Sequence, residues 1–464
     1  MQAMLVSNSA VFEIMFKRPP EVHPEPFEAI MDRHPNDVAD YIVFHQVIDK
    51  EGRYLHFDQM RHKIPRRLDR ALAWSVVKMA RRGQLSPIIT LGEPSKPCWF
   101  VSTPAIQKAV SLCDQKTTTA VLRYMTNQIG EGKQLEYLLN DLIDEEAISS
   151  SQLEGSATTT KVAKLLLSTQ RGARTPDEKM IIGNYKMMQC AWELRDQPLS
   201  LKLIQDLHRE GVEGIDDDHY RPGAFKNTDD VVVGDGNGGI AHQPPPAITL
   251  EHRLESLIQW VNSDHATTNT ASYIHPVIKA IIIHFAVGFE HPFHDGNGRV
   301  ARSLFYWYVF KEGFPAFRYI AISSLLKRAP VKYGMSYMYT ETDEMDLTYF
   351  IDHQCRIITE AIELFQSNYD VAVRSIKDFE KFLFDSGLYG KLSDKQRMVF
   401  NVANSNRARH FTVNNVKMNL GCSYNTAASV LNGLVELKLF KKRKEGKVWV
   451  YSMLDPKSIQ EAWV

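Results

Sequence analysis

Side chains suited to phosphate chemistry are concentrated between His291 and Arg302, where the sequence reads His-Pro-Phe-His-Asp-Gly-Asn-Gly-Arg-Val-Ala-Arg. This run holds a histidine, a carboxylate, a glycine-rich turn and two arginines within twelve positions. The imidazole of His291 can act as a general base near neutral pH. Asp295 supplies a single carboxylate, and Mg²⁺ binds one or two carboxylates together with substrate oxygens and water. The run therefore predicts a site that handles the phosphates of a nucleotide.

The turn Gly296-Asn297-Gly298 lies between two predicted helices, His275–Phe289 and Gly298–Phe310. A tight turn at a helix N-terminus exposes backbone N–H groups and the positive end of the helix dipole, which together bind anions. Glycines let the backbone approach a phosphate closely, and the Asn297 amide can add a donor. Arg299 and Arg302 are three residues apart on one helical face, and their planar cationic groups suit phosphate oxygens.

The four residues Asp-Gly-Asn-Gly at 295–298 occur a second time at 235–238, so the two copies can be compared. That copy has no histidine before it and no arginine pair after it. β-branched residues flank it at Val231–Val233 and from Ile240, and the prolines at 244–246 follow, so a β-hairpin is predicted there. A glycine turn or a lone histidine is usually structural, and Phe293 is expected to be a core residue that fixes the loop. The specificity at 291–302 therefore lies in the coincidence of its parts.

Length and composition describe an ordinary globular protein with no global charge that points to nucleic acid or membrane. The 464 residues are too many for one compact core, so about two to four domains are expected. Lys+Arg and Asp+Glu are both 55. The five cysteines are scattered without a CxxC pair, which indicates reduced thiols rather than a disulfide framework or a zinc site. They are Cys98, Cys113, Cys190, Cys355 and Cys422.

Targeting and membrane signals are not found in the sequence. The N-terminus lacks a long apolar stretch followed by a small-residue cleavage site, so no signal peptide is predicted. The longest apolar run, Ala280–Phe289, contains His284 and is far too short to span a bilayer. A soluble, cytoplasmic protein without membrane contact is expected.

The organisation along the chain predicts a mainly α fold in three regions. Residues 1–110 are predicted to be a mixed α/β region: strand and loop up to about residue 60, including Tyr41–Phe44, then a helix, then two strands within Pro87–Phe100. Residues 111–375 are predominantly helical, with helix Leu347–Asn368 near their end. Residues 388–464 are predicted to form three helices and a basic hairpin, after a boundary near Tyr389.

The run 291–302 resembles the signature of the Fic family, His-x-Phe-x-(Asp/Glu)-Gly-Asn-Gly-Arg-x-x-Arg, at every defined position. The resemblance extends over roughly residues 110–375, including the hairpin and Tyr220–Gly223 before it. It implies an all-helical core with a β-hairpin flap. It also implies a protein adenylyltransferase, which transfers AMP from ATP to a hydroxyl side chain of a protein and releases pyrophosphate.

The resemblance implies a role for each signature residue. His291 would deprotonate a Ser, Thr or Tyr hydroxyl of a target protein or of the chain itself. Asp295 would hold Mg²⁺ between the α- and β-phosphates, the run Gly296–Gly298 would cradle the phosphates, and Arg299 would neutralise the departing pyrophosphate. Positioning and charge stabilisation supply most of the rate in such chemistry. Phe293 belongs to the same ATP-binding loop.

A tyrosine at position 333 falls where the family often places an aromatic side chain near the adenine. The sequence around Tyr333 departs from the family pattern because the usual asparagine is missing. Tyr337 lies one helical turn further on. Packing in the core would explain both tyrosines equally well.

A second motif, Ser150-Ser151-Gln152-Leu153-Glu154-Gly155, resembles the inhibitory motif of the family, (Ser/Thr)-x-x-x-Glu-(Gly/Asn). By itself the motif is also what a helix capped by Gly155 would show. In the family the glutamate pairs with the second signature arginine, here Arg302, which would otherwise hold the γ-phosphate. The resemblance therefore implies a self-inhibited chain, with Ser150 and Glu154 in the inhibitory helix. Some relatives also use this glutamate to remove AMP, and the sequence leaves that open.

The predicted hairpin also has a role in the family, where this flap pairs with an extended segment of the target protein. Its strand residues are Val233, Ile240, Ala241 and His242. An ordinary surface hairpin would give the same pattern.

The last region resembles a winged helix, with Ser423–Ala428 opening its third helix and a basic run from Lys441 to Lys447. Contact with DNA through this region and contact with a protein, including a second copy of the chain, are equally compatible with the pattern. Two alternatives to a protein adenylyltransferase stay open. One is a DNA-binding regulator whose core senses a nucleotide, and the other is a transferase that uses a different nucleotide donor.

Overall fold

The structure is a computed structural model that describes most of the chain. The described residues are 16–129, 144–169, 171–215, 220–234, 240–265, 273–404, 410–445, 448–455, 458–459 and 463. The repeated Asp-Gly-Asn-Gly at 235–238 lies outside them, as do residues 1–15 and the first part of the helix predicted from Leu135. Within the described residues, no helix is both long and apolar enough to cross a membrane.

The fold is mainly α-helical, as the sequence predicted, with three small antiparallel sheets in its described part. The N-terminal region contains α1 (Pro26–Arg33), α2 (Val38–Ile42), α3 (Phe57–Met60), α4 (Arg70–Arg82), β1 (Ser86–Leu91) and β2 (Lys96–Phe100).

The central region begins with α5 (Pro104–Lys116), α6 (Thr119–Ile129), α7 (144–153), α8 (Thr160–Thr169), α9 (Pro176–Glu193) and α10 (Leu201–Val212). Next are β3 (Val233–Gly234), β4 (Ile240–His242), α11 (Leu250–Asn262), α12 (Pro276–Glu290) and α13 (Asn297–Lys311). It ends with α14 (Ile322–Leu326), α15 (Pro330–Thr342) and α16 (Thr348–Asp385).

Residues 388–464, the C-terminal module, contain three helices and a two-stranded sheet. These are α17 (Asp394–Asn404), α18 (Val413–Leu420), α19 (Tyr424–Glu436), β5 (Phe440–Glu445) and β6 (Val448–Met453). β5 and β6 pair antiparallel, and a bridge between Phe411 and Tyr451 fixes the chain before α18 to the same sheet. The predicted helices and hairpin of this module are present.

The strands predicted before residue 60 are wrong, because described residues 16–60 contain the short helices α1, α2 and α3 joined by loops and no strand. The stretch Tyr41–Phe44 shows why. Tyr41 and Phe44 are buried while Ile42 and Val43 are 53% and 58% exposed. Burial therefore recurs every three residues, which is helical spacing rather than the alternation of a strand. The strands predicted within Pro87–Phe100 are present as β1 and β2.

The centre of the fold is the pair α12 and α13, which pack along each other and place their connection, residues 291–296, inside the molecule. Thirteen of the fifteen residues of α12 are buried, so this helix is apolar on nearly every side and is surrounded by other elements. Pro276 in its first turn and the His275 side chain, which accepts a hydrogen bond from the Val277 N–H, fix its start.

Helix α16 is longer than predicted and continues to Asp385 instead of ending at Asn368. Its second half buries Ala372, Ile376, Phe379 and Leu383, which recur at three- and four-residue spacing. The ring of Phe379 meets that of Phe400 in α17 at a centroid distance of 4.9 Å. The extension therefore packs against the C-terminal module.

Candidate active site

His291 is the residue that ends α12, and its backbone adopts a left-handed conformation with φ of 49°. This conformation is unfavourable for a residue with a side chain and is found mostly where the surroundings enforce it. The His291 Nδ1–H donates to the Gly288 carbonyl at 3.2 Å, which leaves Nε2 as the acceptor of the ring. Across the described ranges, Nε2 has no hydrogen-bond partner. The imidazole is thus oriented with one lone pair available to a substrate.

The surroundings of His291 keep its ring neutral. Burial lowers the pKa of His291 to about 3, and the electrostatic effects of His242 and Lys226 act in the same direction. The hydrogen bond to the Gly288 carbonyl opposes them. The ring is therefore unprotonated at neutral pH, which is the form a general base needs.

Glu290, directly before His291, fixes the end of α12. Its carboxylate is 1% exposed and accepts from Arg253 Nε of α11 at 2.7 Å and from the Gly92 N–H at 3.1 Å. Gly92 lies in the turn between β1 and β2, so the N-terminal region touches the end of α12. The pairing of Glu290 with Arg253 was not predicted from the sequence. The available signal was a lone acidic residue at the end of the apolar helix Pro276–Glu290.

The loop after His291 is held by its own residues. The Asn297 side chain accepts from the Phe293 N–H and donates to the Phe293 carbonyl, both at 2.8 Å. These two bonds close the loop, a role for Asn297 that the sequence did not predict. Phe293 is fully buried and stacks on the His208 ring with centroids 3.7 Å apart.

His208 in α10 connects three segments of the site and was not identified from the sequence. Its Nδ1 accepts from the Gly223 N–H at 3.0 Å, and its Nε2–H donates to the Asp295 carbonyl at 3.1 Å. Burial lowers the pKa of His208 to about 4, so the ring is neutral, as these two bonds require. The visible signal was a histidine at the helical spacing of the buried residues Leu203, Ile204 and Leu207.

Asp295 is the only acidic residue of the signature, and its carboxylate is partly buried. Its Oδ1 accepts from the Gly296 N–H at 2.5 Å. Burial raises the pKa of Asp295, while that hydrogen bond and the charge of Arg299 lower it. The part of the chain that the structure describes contains no cluster of three or more His, Cys, Asp or Glu side chains that could hold a metal ion by itself. Asp295 is the residue of this loop that could hold a Mg²⁺ whose other ligands are phosphate oxygens and water.

The N-terminus of α13 offers backbone N–H groups to an anion. Gly296 precedes it with φ of 81°, and no side chain caps the first turn. Arg299 in this turn is 1% exposed, and its Nη1 donates to the Gly211 carbonyl at 2.9 Å. Its Nε and Nη2 are buried and lack a partner among the described residues. A buried cation with open donors is costly unless an anion binds there.

Arg302, one turn further along α13, is held by α7. Its Nη2 lies 2.8 Å from Glu154 Oε1 and its Nε donates to Ser150 Oγ at 2.9 Å. A third bond joins Nη2 to the Ser150 carbonyl at 3.1 Å. Arg302 is 3% exposed, and its Nη1 has no partner within the described residues. The Glu154 carboxylate also lies directly over Gly298, so a side chain at position 298 would run into it.

The flap residues form the short hairpin of β3 and β4, with Val233 opposite His242 and Gly234 opposite Ile240. Ile240 is 62% exposed, whereas Val233 and Ala241 are half-buried. His242 is buried and bonds to Glu341 Oε2 at 2.7 Å and to the Phe289 carbonyl at 2.8 Å. The base of the flap is therefore fastened to the end of α12, next to His291.

Tyr333 packs in the core formed by α12, α15 and α16. It is 8% exposed, and its hydroxyl lies 2.8 Å from His284 Nε2. Burial raises the pKa of Tyr333, and the neighbouring charge of Arg302 lowers it. Tyr337 lies beside it at a hydroxyl distance of 3.5 Å. The structure thus places Tyr333 in the core near Arg302, where packing and the bond to His284 account for its position.

With this geometry in place, one comparison identifies the domain. Residues 198–309 match the family model described as the Fic/DOC family. The chain carries a Fic/DOC family domain. The matched range includes α10, the flap and the signature through Arg302. Glu154 and Tyr333 lie outside it.

Curated relatives resemble the Fic/DOC domain and its surroundings. A probable protein adenylyltransferase of Aquifex aeolicus (strain VF5) is 26% identical over 190 residues, which are 39% of this chain and 52% of that protein. The protein adenylyltransferase Fic of Drosophila virilis is 24% identical over 220 residues, 46% of this chain and 41% of that protein. The protein adenylyltransferase Fic of Drosophila melanogaster is 31% identical over 117 residues, which are 25% of this chain and 21% of that protein. The chain spans about half the length of these relatives or less.

Solved structures of Fic proteins also align with the chain at low identity. A Fic family protein from Desulfovibrio desulfuricans G20 has a TM-score of 0.44 and 16% identity, covering 76% of this chain and 97% of the other. A Fic domain containing signaling protein from Bacteroides thetaiotaomicron has a TM-score of 0.45 and 18% identity. The alignment covers 57% of this chain and 97% of the other.

Proposed function

We propose that this chain is a protein adenylyltransferase that transfers AMP from ATP to a Ser, Thr or Tyr hydroxyl of a target protein or of itself. The observation that carries the proposal is the neutral His291 ring, whose open Nε2 lies in the loop that leads into the uncapped N-terminus of α13. The names of the curated relatives, protein adenylyltransferases, support the same reaction.

In this reaction the target hydroxyl gives its proton to His291 Nε2 as its oxygen attacks the α-phosphorus. The new bond joins that oxygen to the α-phosphorus, and the bond from the α-phosphorus to the bridging oxygen breaks. Pyrophosphate leaves with the bonding electrons. The open Nε and Nη2 of Arg299 and the N–H groups of the first turn of α13 stabilise the charge that develops on it. Bound Mg²⁺, held by Asp295, would supply further charge neutralisation.

The low pKa of His291 suits a site that receives a highly charged nucleotide. The negative charge of ATP favours the protonated form of a nearby imidazole and raises its pKa. His291 therefore starts unprotonated and becomes a stronger base when ATP is bound. A base is most effective when its pKa lies near the working pH, so the charge of ATP moves His291 toward that condition.

We also propose that Glu154 inhibits the chain from within. A γ-phosphate would need the Arg302 guanidinium and the space over Gly298, and the Glu154 carboxylate lies at both. The glutamate side chain is 29% exposed, whereas Arg302 is 3% exposed. Loss of Glu154 would therefore free a buried, positively charged pocket that an anion can enter.

The flap offers a place for an extended segment of the target. Ile240 is exposed on β4, and His242 anchors that strand beside His291. A target strand pairing with this hairpin would bring its hydroxyl residue toward the base. This part of the proposal rests on the position of the hairpin and on its exposed edge.

The test is transfer of label from ATP labelled at the α-phosphate, followed by mass spectrometry of the purified chain and of lysate proteins. Glu154→Gly is expected to label strongly, the wild type weakly, and Glu154→Gly combined with His291→Ala by about 10²–10⁴-fold less than Glu154→Gly. A peptide mass increase equal to one AMP identifies the reaction. Labelled CTP, GTP and UTP, tested in parallel, identify the preferred donor.

A matched control separates release of Arg302 from loosening of the helix. Glu145 lies on α7, the helix that Glu154 directly follows, and pairs at its surface with Lys164 at 3.7 Å. Glu145→Gly weakens α7 by about 1 kcal/mol but leaves the contact with Arg302 intact. Equal labelling by Glu145→Gly and Glu154→Gly would contradict inhibition by Glu154. Label transferred from the γ-phosphate instead of the α-phosphate would contradict the adenylyltransferase itself.

A further inference from the structure

The charges of the chain are segregated, although they cancel in total. Residues 388–464, the C-terminal module, contain 13 Lys and Arg against 5 Asp and Glu, a net charge of +8. Since the whole chain has 55 of each, the preceding 387 residues carry −8. Such asymmetry between two parts of one chain is typical of a module that binds a polyanion.

We propose that the C-terminal module binds double-stranded DNA through one surface, which we call the basic face. The basic face consists of the outward side of the first half of α19 and the strand β5. Its residues are Tyr424, Asn425, Thr426, Ser429, Lys441, Lys442, Arg443 and Lys444. All eight are exposed to solvent. The inference concerns a partner other than ATP or a modified protein, and it does not depend on the adenylyltransferase reaction.

Helix α19 is built to present polar side chains outward. Ala427, Val430, Leu431 and Leu434 are buried against the module. Ser423 caps the helix, since its Oγ accepts from the Thr426 N–H at 3.1 Å, so the first turn is fixed. The exposed side chains of this half carry hydroxyl and amide groups, which hydrogen-bond to base edges and phosphates. None of them is acidic.

Direct contacts join the strand β5 to α19, so that both lie on one surface. Lys442 Nζ donates to Asn432 Oδ1 of α19 at 3.2 Å, and the Tyr451 hydroxyl donates to the same oxygen at 2.9 Å. The Lys442 and Lys444 ammonium groups lie 4.7 and 5.9 Å from the Trp449 ring centroid. The lysines are therefore held in place, which lowers the entropy that they lose on binding a phosphate.

The chemistry of the basic face favours duplex DNA over a protein partner. The major groove is about 12 Å wide and admits one α-helix, while phosphates flank it on both sides. A helix with polar residues beside a row of cations has this arrangement. A stable protein interface has an apolar centre depleted in charge, and Lys is among the residues it excludes. Among the ion pairs of the described residues, Arg443 is the one member of the basic face with an acidic partner, Glu445.

The experiment is fluorescence anisotropy of a labelled duplex of about 25 base pairs and mixed sequence, about two helical turns, titrated with the full chain. We expect binding at about 50 mM salt, with a slope of about −4 for log affinity against log salt if four cations meet phosphates. Lys442→Gln with Lys444→Gln keeps the side-chain stems on Trp449 and removes two charges. It is expected to reduce the slope by about 2 and to weaken binding on the order of 10–100-fold.

The matched control removes two exposed lysines from α16, Lys377→Gln with Lys381→Gln, and is expected to bind as the wild type. Ser429→Asp places a negative charge on the exposed side of α19 and is expected to weaken binding by about tenfold or more. His291→Ala is expected to bind DNA unchanged, which separates this proposal from the transferase. No binding at 50 mM salt, an equal loss in the α16 control, or tighter binding of a single-stranded RNA probe would each overturn it.

Discussion

Two regions of the molecule bury arginines, and the contacts of these arginines differ. Where the N-terminal region meets α16, Arg81 is fully buried and each of its nitrogens donates a hydrogen bond. Nε donates to the Val47 carbonyl at 3.1 Å, Nη1 to the Tyr349 hydroxyl at 2.7 Å, and Nη2 to the Leu55 carbonyl at 2.9 Å. The guanidinium also lies 3.7 Å from the centroid of the Tyr54 ring.

At the start of α13 the arginines are equally buried but incompletely bonded. Arg299 uses one of its three nitrogens, and Arg302 leaves Nη1 without a partner in the described ranges. A protein normally satisfies a buried charged group, so open donors beside a helix N-terminus mark a place for an anion. Burial alone therefore does not distinguish a structural arginine from one that binds an anion. In these two regions the number of hydrogen-bonded donors does.

The largest expected effect is on the Arg81 side of the comparison. Arg81→Ala leaves the Val47 carbonyl, the Leu55 carbonyl and the Tyr349 hydroxyl without their donor. At about 1–3 kcal/mol for each unsatisfied buried group, the unfolding free energy should fall by about 3–5 kcal/mol. Thermal unfolding followed by circular dichroism should show a clearly lower midpoint. Arg82→Ala is the control, because that side chain is 53% exposed and should change the midpoint little. Similar midpoints for the two variants would show that the Arg81 network is not structural.

The reverse pattern is expected for Arg299. In the Glu154→Gly background, Arg299→Ala should lower kcat/KM for ATP by about 10²–10³-fold, as the loss of one donor to a developing charge does elsewhere. Its unfolding free energy should change by no more than about 1 kcal/mol, since most of its donors have no protein partner to lose. Label transfer and thermal unfolding of the same samples measure both. A large drop in unfolding free energy with little loss of label transfer would mean that Arg299, like Arg81, is a structural residue.

The sequence was sufficient to predict which residues form the candidate active site because most of them are contiguous. His291, Asp295, Arg299 and Arg302 fall within one turn and one helix, so their spacing alone places them together. Glu154 is far from them in sequence, and only the resemblance to a family motif predicted its pairing with Arg302. The helical character of the central region followed from its periodicity, as the bounds of α12 and α13 show.

The supporting contacts could not be predicted, because they join residues distant in sequence and buried in the fold. His208 and Asp295 are 87 residues apart, and Arg253 and Glu290 are 37 apart. A histidine or arginine in an amphipathic helix gives no indication of which loop it will meet. Asn297 shows that the same holds within the motif, since its side chain also bonds to the Phe293 backbone, which the spacing of the motif does not indicate.

A smaller effect is expected from Ser150, which tests how tightly Arg302 is held under the inhibition that we propose. Ser150→Ala removes the acceptor of Arg302 Nε, a bond of 2.9 Å, while Glu154 remains. A bond of this kind contributes about 0.5–1.5 kcal/mol, so self-labelling should rise about two- to tenfold. Ser151→Ala is the control, because the Ser151 hydroxyl bonds to the Ala147 carbonyl at 2.9 Å. An equal rise in both variants would indicate general loosening of α7.

The smallest expected effect is that of pH, and it extends the comparison to histidines. Burial lowers the pKa of His56, in the N-terminal region, to about 4 and that of His291 to about 3. The His56 ring is stacked on Tyr339 at 4.3 Å, and its Nδ1 accepts from the Asp58 N–H at 3.1 Å. The His291 Nε2 is open. A lowered pKa is therefore common to both regions, and only His291 can accept a proton from a substrate.

For a histidine whose pKa is lowered by folding, the neutral base is present above that pKa and is lost only as the pH falls through it. Since kcat/KM reports the free enzyme, its value for Glu154→Gly with saturating Mg²⁺ should change by less than about twofold between about pH 6 and 8. Initial rates at low ATP across this range measure it. If kcat/KM instead rises with pH around the ordinary histidine pKa of about 6.5, His291 is solvated like a surface histidine. The lowered pKa that we assign to His291 would then be wrong.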